Sequence, residues 1–427
     1  MSIGRRIRSF VFWLHLGIGV LAGALILLMS VTGVLLGFER QMIAWIDGAP
    51  RVEATGARPL PLDSVLAHAC VARVSVASVV VRRDPTHPVT IRLREQGAAP
   101  VLAHPATGAV LRPAGDGAGQ RLFSALRRWH RWIGAEAGAL RERAKLLNGV
   151  ANLLFLALVL SGLWLWWPRR WTVARLKATT VPQLRHRSGQ VRDFNWHNSL
   201  GFWFALPLAV IVATGVFFSF RWPGRYLDLA LGSATERAAA REAIADARAG
   251  REGEKEGARP GTDARRDGAH DRPAADVVRP DDAPLARYVA AAAAVRPQWT
   301  QLTLTLPDAT APHARVVVAE GNTYRPDLRW TVDVDRASGE VTKASGYATL
   351  SPARKLRAWV RHGHTGEVFG VAGQLLATVA SAVGALLVLT GFALASRRLR
   401  QALQRRGRAA RTRAGVAGAS REVAAAR

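Results

Sequence analysis

The sequence predicts an all-α membrane bundle of four transmembrane helices, built as a duplicated pair, with two extracytoplasmic α+β modules. Three observations carry this expectation: four apolar runs of membrane-crossing length, basic residues segregated between them, and a repeat relating the two halves of the chain. The chain has 427 residues, 49% of them hydrophobic, yet 59 Lys and Arg outnumber 31 Asp and Glu, for a formal charge of +28. An ordinary acidic cytosolic enzyme would not carry this charge, and a disordered basic protein would be far less apolar. Cys70 is the one cysteine. That excludes an intrachain disulfide, a cysteine-ligated iron–sulfur cluster, a four-cysteine zinc site and a covalently attached haem. Metal chemistry falls to His, Asp and Glu, or to a non-covalently held cofactor.

A bilayer core of about 30 Å takes about 20 helical residues, and residues 10–38, 146–167, 194–222 and 368–395 are apolar runs of at least that length. The first run follows Arg5, Arg6 and Arg8. It is far longer than the roughly 7 to 15 apolar residues of a signal peptide and has no A-x-A-like cleavage site after it, so it reads as an uncleaved anchor. Residues 1–9, 168–193 and 396–427 together hold twenty basic residues against two acidic ones. The positive-inside rule therefore puts these stretches and both termini in the cytoplasm, and residues 39–145 and 223–367 outside, in the periplasm of a bacterial inner-membrane protein. Trp164, Trp166, Trp167 and Trp171 around Pro168, Arg169 and Arg170 form an interfacial belt. Arg405, Arg406, Arg408, Arg411 and Arg413 in the tail follow from the same rule and from anionic lipid, so the lipid bilayer is a partner and nucleic acid is not.

The first and third runs align without a gap. His15 to Thr32-Gly33-Val34 and His197 to Thr214-Gly215-Val216 cover the same distance, with Gly19 and Gly201 each four residues after the histidine. The second and fourth runs match as Leu158-Val159-Leu160-Ser161-Gly162 and Leu387-Val388-Leu389-Thr390-Gly391. The outside segments end alike, in Thr107-Gly108-Ala109-Val110 and Ser338-Gly339-Glu340-Val341. Periodicity predicts a helix over 62–72 and strands over 75–82 and 88–94, with a last strand after the Thr-Gly turn. The second segment repeats the plan with a helix over 285–295 and strands over 301–306, 314–319 and 330–335. The modules thus occupy 39–120 and 285–350, and interfacial segments occupy 121–145 and 351–367. Residues 223–284 form a linker that lacks apolar periodicity and reads as a solvated helix leading into disorder.

Ionisable residues are rare in lipid-embedded helices and usually face a functional interior. His15 and His197 lie at matching depth near the cytoplasmic ends of two parallel spans. Two imidazoles facing each other across a bundle can hold a haem iron from both sides, a six-coordinate arrangement suited to electron transfer. At the other leaflet the candidates are His130 and His364, with His362 a rival for the latter place. Arg127, Arg128, Arg131 and Arg361 beside them suit haem propionates, because guanidinium binds carboxylate bidentately. The other reading of each histidine is an interfacial polar group bonded to a neighbouring helix or to lipid phosphate. His68, His87, His104, His186, His270 and His313 fall in polar segments and read as solvated. The Thr-Gly and Ser-Gly pairs late in each span, with Gly19 and Gly23, read as faces for close helix approach that also leave room for a flat macrocycle.

These residues resemble the PepSY-associated transmembrane family, iron-regulated membrane proteins that include ferric-siderophore reductases. The resemblance lies in His15-Leu16-x-x-Gly19, Thr32-Gly33, Ser161-Gly162-Leu163-Trp164-Leu165-Trp166-Trp167-Pro168-Arg169, Asp193-x-x-x-His197-x-x-x-Gly201, Thr214-Gly215 and His364-Thr365-Gly366-Glu367-x-x-Gly370. It implies a PepSY-like module in each outside segment and b-type haems on helix histidines, two bis-histidine haems in all. The expected function is outward electron transfer that reduces a ferric siderophore, with quinol or a separate protein as donor. The competing reading is a non-redox anchored protein whose modules bind or regulate a periplasmic partner.

Overall fold

The computed structural model describes residues 3–425, apart from 49–51, 53–56, 96–97, 99, 114–116, 169–171, 184–187, 257–281 and 308–310. Arg169, Arg170, Trp171, His186, His270 and the centre of the linker lie outside the described residues. The chain divides into two units.

The first unit comprises residues 1–37, 126–220 and 364–427. Its helices are α1 (Ile3–Leu36), the C-terminal half of α4 (Ala118–Trp132), α5 (Gly138–Trp166), α6 (Val173–Thr180), α7 (Gly189–Ser219) and α12 (Gly370–Ala425). The apolar lengths of α1, α5, α7 and α12 are each sufficient to cross a membrane, which makes this a membrane protein. Leu21, Leu160, Leu206 and Val371 stand exposed on the four helices, as side chains facing lipid do. The four pack in a ring: α1 lies against α5 and α12, and α7 lies against α5 and α12. Small residues set the spacing. A Cβ on Gly23 would meet the Phe392 ring at 2.4 Å, and one on Gly149 would meet Phe220 at 2.8 Å. The helix α5 stops at Trp166 because Pro168 disfavours helical backbone before it, and the Arg8 guanidinium donates to the freed carbonyls of Leu165 and Trp167. At the start of α7 the Asp193 carboxylate is buried, bonded to Arg192 at 2.9 Å and to Arg397 of α12 at 2.8 Å.

The second unit comprises residues 38–125 and 221–363. It holds α2 (Glu39–Ile46), α3 (Leu62–His68), α8 (Trp222–Leu231), α9 (Ala234–Glu256), α10 (Leu285–Val295) and α11 (Pro352–Thr365) to residue 363. Its strands are β1 (Val76–Arg82), β2 (Val89–Leu93), β3 (Val101–Ala103), β4 (Val110–Pro113), β5 (Gln301–Thr305), β6 (His313–Ala319), β7 (Arg329–Asp335) and β8 (Val341–Gly346). Each outside segment contributes four of the described strands, β1–β4 from the first and β5–β8 from the second. All eight strands form one antiparallel sheet in the order β4-β3-β2-β1-β5-β6-β7-β8, joined at its centre by β1 and β5, where Arg82 lies opposite Gln301 and Ser78 opposite Thr305. Alternation along the strands puts Val79, Ile91, Leu302, Leu304, Val316, Val318, Val332 and Val334 into one core with Val65, Leu66, Leu285, Tyr288 and Ala292. Asp63 of α3 binds the segments together further, accepting from the Leu285 and Ala286 amides at the start of α10 at 3.1 and 3.2 Å. The matched Thr107-Gly108 and Ser338-Gly339 pairs are the β3–β4 and β7–β8 turns, with φ of +72° and +70° at the glycines. Strands β3 and β8 complete these hairpins. In α9 the segment Ser233-Ala-Thr-Glu236 is a capping box: the Glu236 amide donates to Ser233 Oγ at 3.3 Å and the Ser233 amide to Glu236 Oε2 at 2.7 Å.

Candidate functional site

His15 of α1 and His197 of α7 occupy diagonal corners of the ring of helices, and their imidazole centres are 6.4 Å apart with planes at 88°. Each ring is held from the neighbouring span. His15 Nδ1 lies 2.8 Å from Ser161 Oγ of α5, and His197 Nδ1 lies 3.0 Å from Thr390 Oγ1 of α12. With Nδ1 engaged, Nε2 is the nitrogen left for a ligand. Around the pair lies a cavity of about 1240 Å³, walled by Gly19, Leu158, Gly201, Leu387, Gly391 and Phe392 and by Phe155 and Gly384 deeper in. The paired glycines face leucines of the next helix: a Cβ on Gly19 would meet Leu158 at 3.9 Å, and one on Gly201 would meet Leu387 at 3.7 Å. Arg5, Arg8, Arg398 and Arg405 line the same cavity, residues that the sequence explains only through the positive-inside rule.

A second set has the same local pattern. His130 Nδ1 lies 2.8 Å from Thr32 Oγ1 of α1, and His364 Nδ1 lies 3.0 Å from Thr214 Oγ1 of α7 and 2.9 Å from the Ile211 carbonyl. His130 and His364 both belong to the first unit. Asn148 of α5 fixes the end of α4 by donating to the His130 and Arg131 carbonyls at 3.0 and 3.3 Å. Beyond His364 the chain turns sharply into α12 through Gly366, whose φ is +73° and whose missing Cβ would sit 2.2 Å from the Gly373 carbonyl oxygen. Only glycine fits there. His362, the rival, belongs to the other unit, where its buried ring lies 5.9 Å from that of Tyr324.

Residues 12–398 match the profile of the PepSY-associated TM region. The chain belongs to that family. The match takes in all four spans and the whole of the sheet. No curated protein matches the chain.

The arginines expected beside the second set of histidines divide in this member of the PepSY-associated family. Arg128 is 3.4 Å from Glu136, Arg127 is half-buried on α4, and Arg131 and Arg361 are exposed. His68 bonds the Ser64 carbonyl, His104 accepts from the Ala106 amide, His87 lies 3.2 Å from Asp84, and His313 is exposed at the start of β6. Of the interfacial tryptophans, Trp164 and Trp167 are exposed and Trp166 stacks on Phe202 at 4.1 Å. Among the described residues no group of three or more His, Cys, Asp or Glu could hold a metal ion. His15 and His197 are the histidines that line the cavity. Sequence reasoning missed the hydroxyls of Ser161, Thr390, Thr32 and Thr214 and the amide of Asn148. The signal was present, since each span carries one Ser/Thr-Gly pair and the two histidine sets need four partners.

Proposed function

We propose that the chain is a duplicated bacterial inner-membrane protein that holds b-type haem between histidines and passes electrons outward to reduce a ferric siderophore, releasing iron for uptake. The observation that carries this reading is the His15–His197 pair. Two imidazoles that each bond one metal ion at about 2.0 Å have centres about 6 Å apart, and His15 and His197 would hold a haem iron in this way. The separation here is 6.4 Å. The cavity around the pair, about 1240 Å³, is larger than the usual ligand-pocket range of about 300–1,000 Å³ and leaves room for a macrocycle. His130 and His364 are the proposed ligands of a second haem, and the chain is then two copies of one span–module–span plan with both termini cytoplasmic.

Haem held there would supply one-electron chemistry. The protein's part is to bind and orient it. His15 and His197 would supply its nitrogen ligands, Ser161 and Thr390 hold the rings, and Leu158, Leu387 and Phe392 line the cavity with apolar surface. The helix between His15 and Thr32 rises about 25 Å over seventeen residues, so the two pairs lie towards opposite faces of the bilayer. Reduction labilises the chelate because hard oxygen ligands hold Fe(III) better than Fe(II). A quinol donor gives two electrons and two protons on oxidation to quinone, and so matches two one-electron reductions of ferric chelate. Arg127, Arg128, Arg131 and Arg361 are the proposed propionate partners at the outer site. The test is an absorption spectrum of purified protein, oxidised and then reduced by dithionite, with haem quantified as the pyridine complex. Two haems per chain with the sharp reduced bands of bis-histidine ligation support the reading. Protein that stays colourless after expression with added haem refutes it and leaves the non-redox anchored alternative.

A further inference from the structure

Each of the four histidines is bonded to the hydroxyl of a Ser/Thr-Gly pair. Each hydroxyl also lies close to the carbonyl four residues back in its own helix: Ser161 to Ala157 at 2.6 Å, Thr390 to Leu386 at 2.8 Å, Thr32 to Leu28 at 2.6 Å and Thr214 to Val210 at 2.7 Å. A hydroxyl has one proton to give. Once it is given to the helix carbonyl, the oxygen can only accept, so the imidazole must donate from Nδ1. At His364 a second acceptor leaves no alternative, because the Ile211 carbonyl at 2.9 Å cannot donate. The glycine that follows the hydroxyl residue is also used. A Cβ on Gly162 would meet His15 Cε1 at 3.3 Å, one on Gly391 His197 Cε1 at 3.6 Å, and one on Gly33 His130 Cε1 at 3.7 Å. At these three sites the glycine lets the imidazole edge lie against the helix that orients it, while Gly215 faces Asn152 instead.

We infer that Ser161, Thr390, Thr32 and Thr214 are positioning residues that fix each histidine as the Nδ1–H tautomer, so that the Nε2 lone pair is presented to iron, and that they tune the electron donation of that nitrogen. The part concerning iron rests on the haem reading; the tautomer does not. Outer partners of metal-bound histidine fix ring orientation and raise ligand basicity, and their loss costs about 10–100-fold in metal affinity or activity. The hydroxyls sit on α5, α12, α1 and α7, so every span holds a histidine that another element supplies, and the bundle must be assembled before any ligand is in place.

The test uses the full-length protein with Ser161→Ala, Ser161→Thr, Thr390→Val and Thr390→Ser. Tautomers are read from nitrogen-15 shifts of labelled histidine in haem-free protein, haem retention by competition with a haem-binding acceptor, and the inner-site potential by redox titration. The parent is expected to show Nδ1–H at His15 and His197. Ser161→Ala and Thr390→Val are expected to give mixed tautomers, haem retention weaker by about 10–100-fold, and a higher potential, since a less electron-rich ligand favours Fe(II). A tenfold change in the oxidised-to-reduced ratio corresponds to 59 mV for one electron. Ser161→Thr and Thr390→Ser restore all three readouts. An Nε2–H tautomer in the parent, or Ala and Val variants indistinguishable from it, overturns the inference. A parent that binds no haem defeats the haem reading instead, and the tautomer measurement still decides what the hydroxyls do.

Discussion

Gly162 and Gly391 occupy matching places in the sequence, yet alanine at the two should act differently. Replacing a helix-interior glycine by alanine gains about 1 kcal/mol from backbone entropy and helix propensity. At Gly391 the new methyl would lie 3.6 Å from His197 Cε1, an ordinary contact, so most of that gain survives. At Gly162 it would lie 3.3 Å from His15 Cε1, and the ring must give by a few tenths of an ångström. It cannot give freely, because Ser161, one residue away, holds its Nδ1 at 2.8 Å. The strain should cancel the gain at Gly162 and move the imidazole, and valine there should cost about 1–3 kcal/mol as an overpacked contact. The assay is thermal unfolding of the haem-free proteins in detergent, together with haem retention. Gly391→Ala is expected to unfold at a higher temperature than the parent with haem binding intact. Gly162→Ala should unfold near the parent temperature with weakened haem binding, and Gly162→Val should lose both. Equal effects at the two positions, or a larger loss at Gly391, would refute the contact argument.

The remaining predictions concern separate parts of the chain. Asp193→Ala leaves Arg397 without its buried partner and should destabilise the first unit by about 2 kcal/mol, below the 3–5 of a fully buried pair because Arg397 keeps 32% of its side chain exposed; a lowered unfolding temperature in detergent checks it. His364→Ala should reduce the haem count from two to one while His362→Ala leaves it at two, read by the pyridine complex. In α9 the Ser233 amide, then the hydroxyls of Ser351 and Ser233 and the guanidinium of Arg354, hold the Glu236 carboxyl down from the ordinary 4.5 to about 2. A depressed carboxylate contributes stability fully above its unfolded pKa and loses it as pH falls through the folded one. The parent's unfolding temperature should therefore drop more between pH 4.5 and pH 2 than that of Glu236→Gln; parallel curves would remove Glu236 from the acid response.

Hydropathy located the four spans because lipid demands long apolar helices, but it could not place their ends. The helix α5 begins at Gly138 rather than near residue 146, since its first turns carry Arg141, Glu142 and Arg143, which suit an exposed helix as well as a loop. The helix α12 runs on to Ala425 through a stretch rich in Ala and Arg, good helix formers whose polarity hides them from a search for spans. Strand alternation was legible, and the choice of partner was not: the residues of β1 carry no mark that its neighbour is β5, more than two hundred residues later. At the candidate site, register brought His15 and His197 to notice. The hydroxyls beside them went unread because Ser-Gly and Thr-Gly in a span suggest close packing, and a hydrogen bond to a ring on another helix has no local signature. His364 and His362 could not be separated either, since the turn at Gly366 that carries His364 towards Thr214 depends on a backbone contact with Gly373.

The central pairing of β1 with β5 also sets an order for biosynthesis. Arg82 and Gln301 are neighbours in the sheet, yet the chain between them includes α5 and α7, two of the four spans. When β1 to β4 emerge, the partner of β1 has not been made, and its edge stays open with unpaired amides and carbonyls that invite association with other chains. It closes only after the chain has crossed the bilayer twice more and delivered β5. A ribosome stalled before residue 301 would leave a half-sheet with its β1 edge open, and a chain cut near residue 260 should be rescued by co-expressing its second half, which brings the missing edge.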